Sequence, residues 1–411
     1  MSRAEPWASE LRSQIPLLGR VTYLNTGTAG PLPECVVDAM AAGVDWEREH
    51  GRGDFTQFGT VIADRHRARE LVARLLGATA DEIALCHHTS DGLNIVLSGI
   101  DWRPGDRLVT TTVEHDAGAV PVGMLARRYG VDVRFVEVDD GASVLDRMDR
   151  ACDERARLVV VSHVAYSSGA ALPVAELARL AHARGAWIVV DGAQSCGDMP
   201  IDVRELDADF YTLSGQKWLC GPEGTGALYV QRDRVEQLWP TFTSYFSAKG
   251  HDFRGSVELQ PSARRFETGM IHRPALRGFV ASLDWMLDRV GVERAWRRSR
   301  ELVSRLRHEL EPLAGVELVT PAECGSSLLS FDLPDFSPAR LQVLALQLAR
   351  EQGIIVRSID HPPYALRASL GFFNTEAEVL RLVDAVRDAV ARGPAAIDPA
   401  DAWMSVPDHR E

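Results

Sequence analysis

Tyr211-Thr-Leu-Ser-Gly-Gln-Lys-Trp-Leu-Cys-Gly-Pro-Glu-Gly224 is the stretch that decides how this chain is read. A short β-type run ends in small and polar residues, delivers one lysine, and passes into a Gly-Pro turn that no helix continues. Lys217 is a nucleophile only when deprotonated, and Trp218 and Leu219 offer apolar cover that lowers the pKa of an amine. Upstream, Trp187-Ile-Val-Val190 leads into Asp191-Gly192-Ala193-Gln194, so a carboxylate stands where a parallel strand would end. Ligands of open α/β sheets bind at the carboxyl ends of strands, which would bring Asp191 and Lys217 to one crevice. A lysine that traps an aldehyde and an acid that pairs with a pyridine nitrogen together suggest pyridoxal phosphate.

Outward from that stretch the pattern alternates. Strands are expected at 83–86, 108–110, 133–136, 158–161, 187–190 and 227–230, with helices at 90–100, 117–129 and after Pro173. That is the signature of a mostly parallel sheet wrapped by helices. Two helices precede it, one from Glu34 and one near 61–76. The segment 231–265 has no strong period and reads as a bridge or a subunit contact. From Pro274 the chain turns helical, and the Arg/Glu mixture over 292–313 reads as a solvated helix face. A smaller α+β unit follows, with strands at 328–331, 354–357 and 366–370, and helices at 337–352 and 375–390. The expected division is a large domain at 21–283 and a small domain at 284–395 joined by the segment 1–20, with 396–411 as a loose tail.

With 411 residues and 45% hydrophobic content the chain has enough apolar material for two cores. A net charge of -13 argues against a nucleic-acid partner, which would need a basic face. Six scattered cysteines form no CxxC pair, so neither disulfides nor structural zinc is indicated, and no metal site is expected. The first residues lack the apolar core of a signal peptide and no apolar run reaches membrane-spanning length, so the expectation is a protein of the cytoplasm with no membrane partner.

Several residues carry the chemistry. His87-His-Thr-Ser-Asp91 joins a strand to a helix, placing Thr89 and Ser90 where a helix N-terminus receives a phosphate, although an ordinary N-cap reads the same way. Ser214 and Gln216 offer further neutral donors. His115 follows a strand end and has the shape to stack on a flat ring; a surface histidine is the alternative. Arg367 offers a bidentate fork for an amino-acid carboxylate, with a surface salt bridge as the plain alternative. Asn25 and Thr28 lie in a Gly/Pro/Thr-rich segment that reads either as a simple loop or as a lid over a ligand. His361 and Tyr364 sit in a Pro-flanked turn before Arg367, either structural or facing a sulfur substituent.

With those residues assembled, the chain resembles the class V aminotransferase family over roughly 23–390, the fold-type I group that includes cysteine desulfurases, isopenicillin N epimerases and cystine carbon–sulfur lyases. Thr89-Ser90, His115, Asp191 to Gln194 and Ser214 to Lys217 match the family pattern in order. The resemblance implies that Gln194 bonds the ring oxygen of the cofactor, Asp191 its protonated nitrogen, and Arg367 the substrate carboxylate. It also implies a homodimer, since Arg265-Phe-Glu-Thr-Gly-Met270 looks like the segment that completes a neighbour's phosphate site, with Met270 where threonine is usual. The loop 358–366 holds no cysteine, unlike that of desulfurases, which disfavours persulfide transfer. The text around Trp102, Ser162-His163 and Trp218 is similar to the cystine-lyase branch and to lincosamide-type enzymes acting on S-conjugated cysteines. The expected activity is therefore β-elimination from an S-substituted L-cysteine, giving thiol, pyruvate and ammonia. Decarboxylation with oxidative deamination, or epimerisation, is the alternative on the same site. A fold that keeps pyridoxal phosphate only as a structural ligand is the reading from a different class.

Overall fold

The computed structural model describes residues 6–53, 55–138 and 144–402. It separates into two compact units, one of Met1–Glu34, Ala165–Ala171 and Val290–Glu411, the other of Cys35–Val164 and Leu172–Arg289. The Asn25 segment thus belongs to the unit that also holds the C-terminal sheet.

The larger unit is built on a seven-stranded sheet. Its spatial order is Ile83–Cys86, Gly226–Val230, Phe210–Ser214, Trp187–Asp191, Ala156–Ser162, Arg107–Thr111 and Asp132–Val136. Every neighbouring pair is parallel except the two made by Gly226–Val230, which runs antiparallel to both its neighbours. Central strands such as 158–161 and 188–190 are apolar at every position because both faces of a helix-covered parallel sheet are buried. Leu93, Val96 and Leu97 of the helix Thr89–Gly99 pack with Leu108, Val160, Val189, Phe210 and Leu228 in one core. Each such aliphatic side chain contributes roughly 1.5–3 kcal/mol by leaving water. Four of the parallel strands end at one edge in Thr111, Ser162, Asp191 and Ser214, all polar and all buried.

In the smaller unit an antiparallel sheet runs in the order Glu317–Leu318, Leu328–Asp332, Ala365–Ser369, Arg357–Ile359. The helices Val292–Leu310, Pro338–Gln352 and Glu376–Arg392 supply much of its core. Ser337 caps the second through the Arg340 N–H, and Thr375 with Glu378 forms a capping box on the third.

Several expectations are corrected. The run 354–357 is not one strand: Ile354–Ile355 pairs in parallel with Thr22–Tyr23, while Arg357–Ile359 joins the antiparallel sheet. The arginine-rich helix face is only partly solvated. Arg300 and Arg307 donate to the carbonyls of Ser326, Thr320 and Pro321, and Arg298 is buried. The tail begins later than expected, because Ile397 is buried in the core and accepts a hydrogen bond from Arg340; residues 403–411 lie outside the described residues. Within 231–265 there is a hairpin, Ala248–His251 with Val257–Leu259, neither strand of which buries a residue, so neither carries an apolar face that the sequence could show. The helix Val144–Ala151 was not foreseen; it is two turns long and buries only Met148.

Candidate functional site

The chemistry-bearing residues fall into two groups, one in each unit. In the larger unit Asp191 ends its strand, is buried, and accepts a hydrogen bond from the Ala193 N–H at 2.8 Å. Burial pushes its carboxyl above the ordinary range, while the positive charge of Lys217 and the Ala193 bond pull it back. Lys217 itself is half-buried in the turn after Ser214, followed by the buried Trp218 and Leu219 that the sequence offered as apolar cover. The Trp218 indole donates to Gln194 Oε1 at 3.0 Å, which fixes the orientation of that buried amide.

The phosphate candidates converge from two elements 125 positions apart. The Thr89 N–H donates to Ser214 Oγ at 3.1 Å, and the two hydroxyl oxygens lie 3.3 Å apart at the start of the helix Thr89–Gly99. Gln216 presents a buried amide oxygen with no partner. Ser90 is half-buried in the first turn of that helix. The approach is close: a side chain on Gly226 would meet Leu213 O at 2.5 Å and His88 Cα at 3.0 Å, so only glycine leaves the turn in place. Beside it a cavity of about 490 Å³ is lined by His87, Asp91, Asn94, Phe242, Thr268 and Gly269, among others. His87 and His88 both pair with Asp91, and no group of three or more potential metal ligands occurs among the described residues.

His115 is half-buried and caps the helix Asp116–Tyr129, its Nδ1 accepting from the Ala117 N–H at 3.1 Å. That bond sets the neutral tautomer, with the proton on Nε2. Two further residues, Glu114 and His163, lie here although the sequence suggested no role for either. Glu114 is buried beside this turn and is bonded to Thr111 and Ser162. His163 is buried with its Nδ1 3.2 Å from the Tyr211 hydroxyl, which is 2.6 Å from Ser195 Oγ. Burial alone lowers the His163 pKa to about 4, so the ring is neutral. The signal that would have found them is position: each polar residue stands at or just past a strand end.

In the smaller unit Arg367 is 1% exposed. It donates to Tyr166 O at 2.8 Å and to Thr28 Oγ1 at 3.1 Å, its Nε has no partner, and no carboxylate pairs with it among the described residues. Burial lowers its pKa to about 9, with the neighbouring Arg357 adding to the shift. Arg357 stands directly opposite on the adjacent strand, also without an ion pair among the described residues. Like charges facing across a ladder are destabilising, so this pair has a cost that the sheet does not offset. Asn25 bridges to Ser369 and keeps a buried Oδ1 without a partner. The His361 ring packs edge-on to Tyr166 at 5.1 Å.

The sequence profile of the family described as Aminotransferase class-V matches residues 22–382. A protein named probable cysteine desulfurase from Methanothermobacter thermautotrophicus is 32% identical over 400 residues, covering 93% of this chain and 98% of its own. The cysteine desulfurase of Haloferax volcanii is 31% identical, covering 89% and 88%. Among solved structures, the cystine C–S lyase C-DES with its product cysteine persulfide superposes with a TM-score of 0.86 at 26% identity, covering 91% of this chain and 99% of that one. A C-DES mutant with glycine covalently linked to its pyridoxal phosphate cofactor gives 0.87 at 26% identity, covering 92% and 99%.

Proposed function

This chain belongs to the class-V aminotransferase family, and from that premise we propose that it is a pyridoxal phosphate enzyme that cleaves an S-substituted L-cysteine to thiol, pyruvate and ammonia. Cleavage of a carbon–sulfur bond is the chemistry its relatives are named for. The chemistry of the residues suits the cofactor: Asp191 is a buried carboxylate of the kind that pairs with a protonated ring nitrogen, and Gln216 and the Thr89–Ser214 hydroxyl pair are neutral groups suited to a phosphate.

When bound, the cofactor supplies a sink for the electrons left at the substrate Cα. Lys217 would anchor it and would serve as the base for the Cα proton. Asp191 would keep the ring nitrogen protonated, Gln194 would donate to the ring oxygen, and His115 would stack on the ring. Thr89, Ser90, Ser214 and Gln216 would hold the phosphate. Arg367, bonded to Thr28, would take the substrate carboxylate together with Asn25, and His361 would contact the sulfur substituent.

The observation that carries elimination over sulfur transfer is where the six cysteines stand. Sulfur transfer to the protein needs an accessible thiolate, and 358–366 holds none. Cys86, Cys152, Cys196, Cys220 and Cys324 are buried, with burial pushing Cys152 to about 11 and Cys220 to about 12. Cys35 is exposed, but it sits on the helix Glu34–His50 and its pKa is raised too. The Arg357–Arg367 pair narrows the substrate further. Two guanidinium groups without counter-ions suit a molecule with two carboxylates, and cystine is the simplest S-substituted cysteine of that kind.

The test is an anaerobic assay of cystine and S-alkylcysteines labelled with heavy carbon at the carboxyl. Labelled pyruvate with equal ammonia and thiol is expected, the thiol from cystine being cysteine persulfide. Alanine in place of pyruvate would mark sulfur transfer, labelled carbon dioxide decarboxylation, and the D-amino acid epimerisation; any of these as main product overturns the proposal. Borohydride reduction and peptide mapping should label Lys217 and no other lysine.

A further inference from the structure

At the carboxyl edge of the large sheet two neighbouring strands come apart. The backbone ladder between Arg107–Thr111 and Ala156–Ser162 runs as far as Thr110 opposite Val160. Beyond it the space is bridged by one side chain. Glu114 Oε1 accepts from the Thr111 hydroxyl at 2.5 Å and from the Ser162 N–H at 3.0 Å, and Oε2 accepts from the Ser162 hydroxyl at 2.7 Å. Ser162 is in register with Asp191 on the next strand, and His115 follows Glu114 directly. The carboxyl group therefore connects the turn carrying the ring-stacking histidine to the strand beside the ring-nitrogen acid.

We propose that Glu114 is a positioning residue, a brace that sets where the His115 imidazole stands relative to Asp191. Its bearing on the cofactor rests on the function proposed above; the brace itself does not.

The chemistry of the site distinguishes this glutamate from four other buried acids. Glu82, Asp209, Glu267 and Glu378 each pair with an arginine, whereas the partners of Glu114 are neutral. A buried carboxylate without a cation is costly, and one that bonds two hydroxyls and an amide can keep all three contacts in the protonated form by rotating the hydroxyls. Burial and the charge of Asp191 push its pKa to about 7 against the pull of Thr111 and Ser162. The titratable groups around it are Asp191 on the adjacent strand, with Lys217 acting on Asp191, and neutral His163 just past Ser162. His115 follows on its own turn.

Glutamine has the shape of the protonated acid and retains an acceptor for Thr111 and the Ser162 N–H. The experiment compares wild type, Glu114→Gln and Glu114→Ala by two readouts. The first, in protein stripped of cofactor, is amide hydrogen exchange of a peptide containing Ser162. Glu114→Ala should speed it about tenfold, the loss of one net hydrogen bond, and Glu114→Gln should leave it near wild type. The second is the visible circular dichroism of protein loaded with pyridoxal phosphate, which reports ring orientation, followed across neutral pH. Glu114→Ala should lose most of the band, and Glu114→Gln should keep it while losing any inflection near neutrality. If Glu114→Ala does not fold, Ser162→Ala deletes one of the three contacts and should shift the band in the same direction. Unchanged Ser162 exchange in the alanine variant would overturn the brace, and accelerated exchange with an unchanged band would overturn positioning. Failure of every protein, wild type included, to take up pyridoxal phosphate would instead defeat the proposed function, and the exchange result would still decide whether the brace exists.

Discussion

Arg367 is a cation that its own unit leaves without a carboxylate among the described residues, and a buried charge without a partner lowers stability. Arg367→Met should therefore keep or raise the thermal stability of the ligand-free protein while kcat/KM falls about a hundredfold or more, the worth of a charge-assisted contact of about 3 kcal/mol. A loss of stability in parallel with activity would show that the guanidinium is structural. Arg357→Ala should raise KM for cystine and leave S-methylcysteine little affected, which a two-substrate comparison reads directly. Asp191→Asn should slow turnover roughly ten- to a hundredfold through loss of about 1.5–3 kcal/mol of charge-assisted bonding, with little change in melting. His163 and Glu114 make opposite contributions to pH dependence. The folded pKa of His163 lies near 4, below its ordinary 6.5, so its neutral burial stabilises the protein above 6.5 and that contribution is lost as pH falls toward 4. The Glu114 pKa is raised to about 7, so its contribution is present in acid and lost as pH rises from 4.5 through 7. Denaturant titrations should show His163→Gln flattening the acid limb and Glu114→Gln flattening the neutral one.

Among the elements, the buried parallel strands were legible because their apolar runs have few alternative explanations, and the helices after 337 and 375 were legible from their caps. Thr375→Ala should cost about 1 kcal/mol, measured by thermal denaturation, because it removes a capping box on the helix Glu376–Arg392. The hairpin 248–259 was not legible, since strands that bury no residue carry no apolar period. Nor was the facing of Arg357 and Arg367, which depends on the register of two strands and not on the distance between residues in the sequence. Glu114 escaped for a related reason: the sequence places it beside His115, but its partner Ser162 lies 48 positions on. The position of Asp191 at its strand end was legible because a polar residue that abruptly ends an apolar run stands out without any knowledge of its neighbours, and that of Lys217 in a turn because Ser-Gly-Gln before it and Gly-Pro after it break both periods. Gly226→Ala should be poorly tolerated, costing about 1–3 kcal/mol by overpacking, because its Cβ would lie 2.5 Å from Leu213 O.

At the scale of the whole molecule, the larger unit leaves Val37, Val44, Phe58, Trp239, Phe242 and Phe253 exposed. Apolar side chains in that number suit a subunit contact, and light scattering is expected to give twice 45.2 kDa. A monomer with full activity would remove that expectation. No helix among the described residues is long and apolar enough to cross a membrane. The antiparallel strand Gly226–Val230 has a consequence for the order of assembly. Ser214 meets Gly226 only 12 positions later, so the two strands flanking Lys217 close a short loop and pair at small entropic cost. The strand Ile83–Cys86 emerges from the ribosome first among those of the sheet, yet its sole strand partner among the described residues is Gly226–Val230, the last to emerge. It must wait for most of the unit to be synthesised, and only then does Thr89 reach Ser214. The contact of Thr89 with Ser214 is thus expected to form after the local hairpin around Lys217, and pulsed hydrogen exchange during refolding should protect Phe210–Ser214 and Gly226–Val230 before Ile83–Cys86.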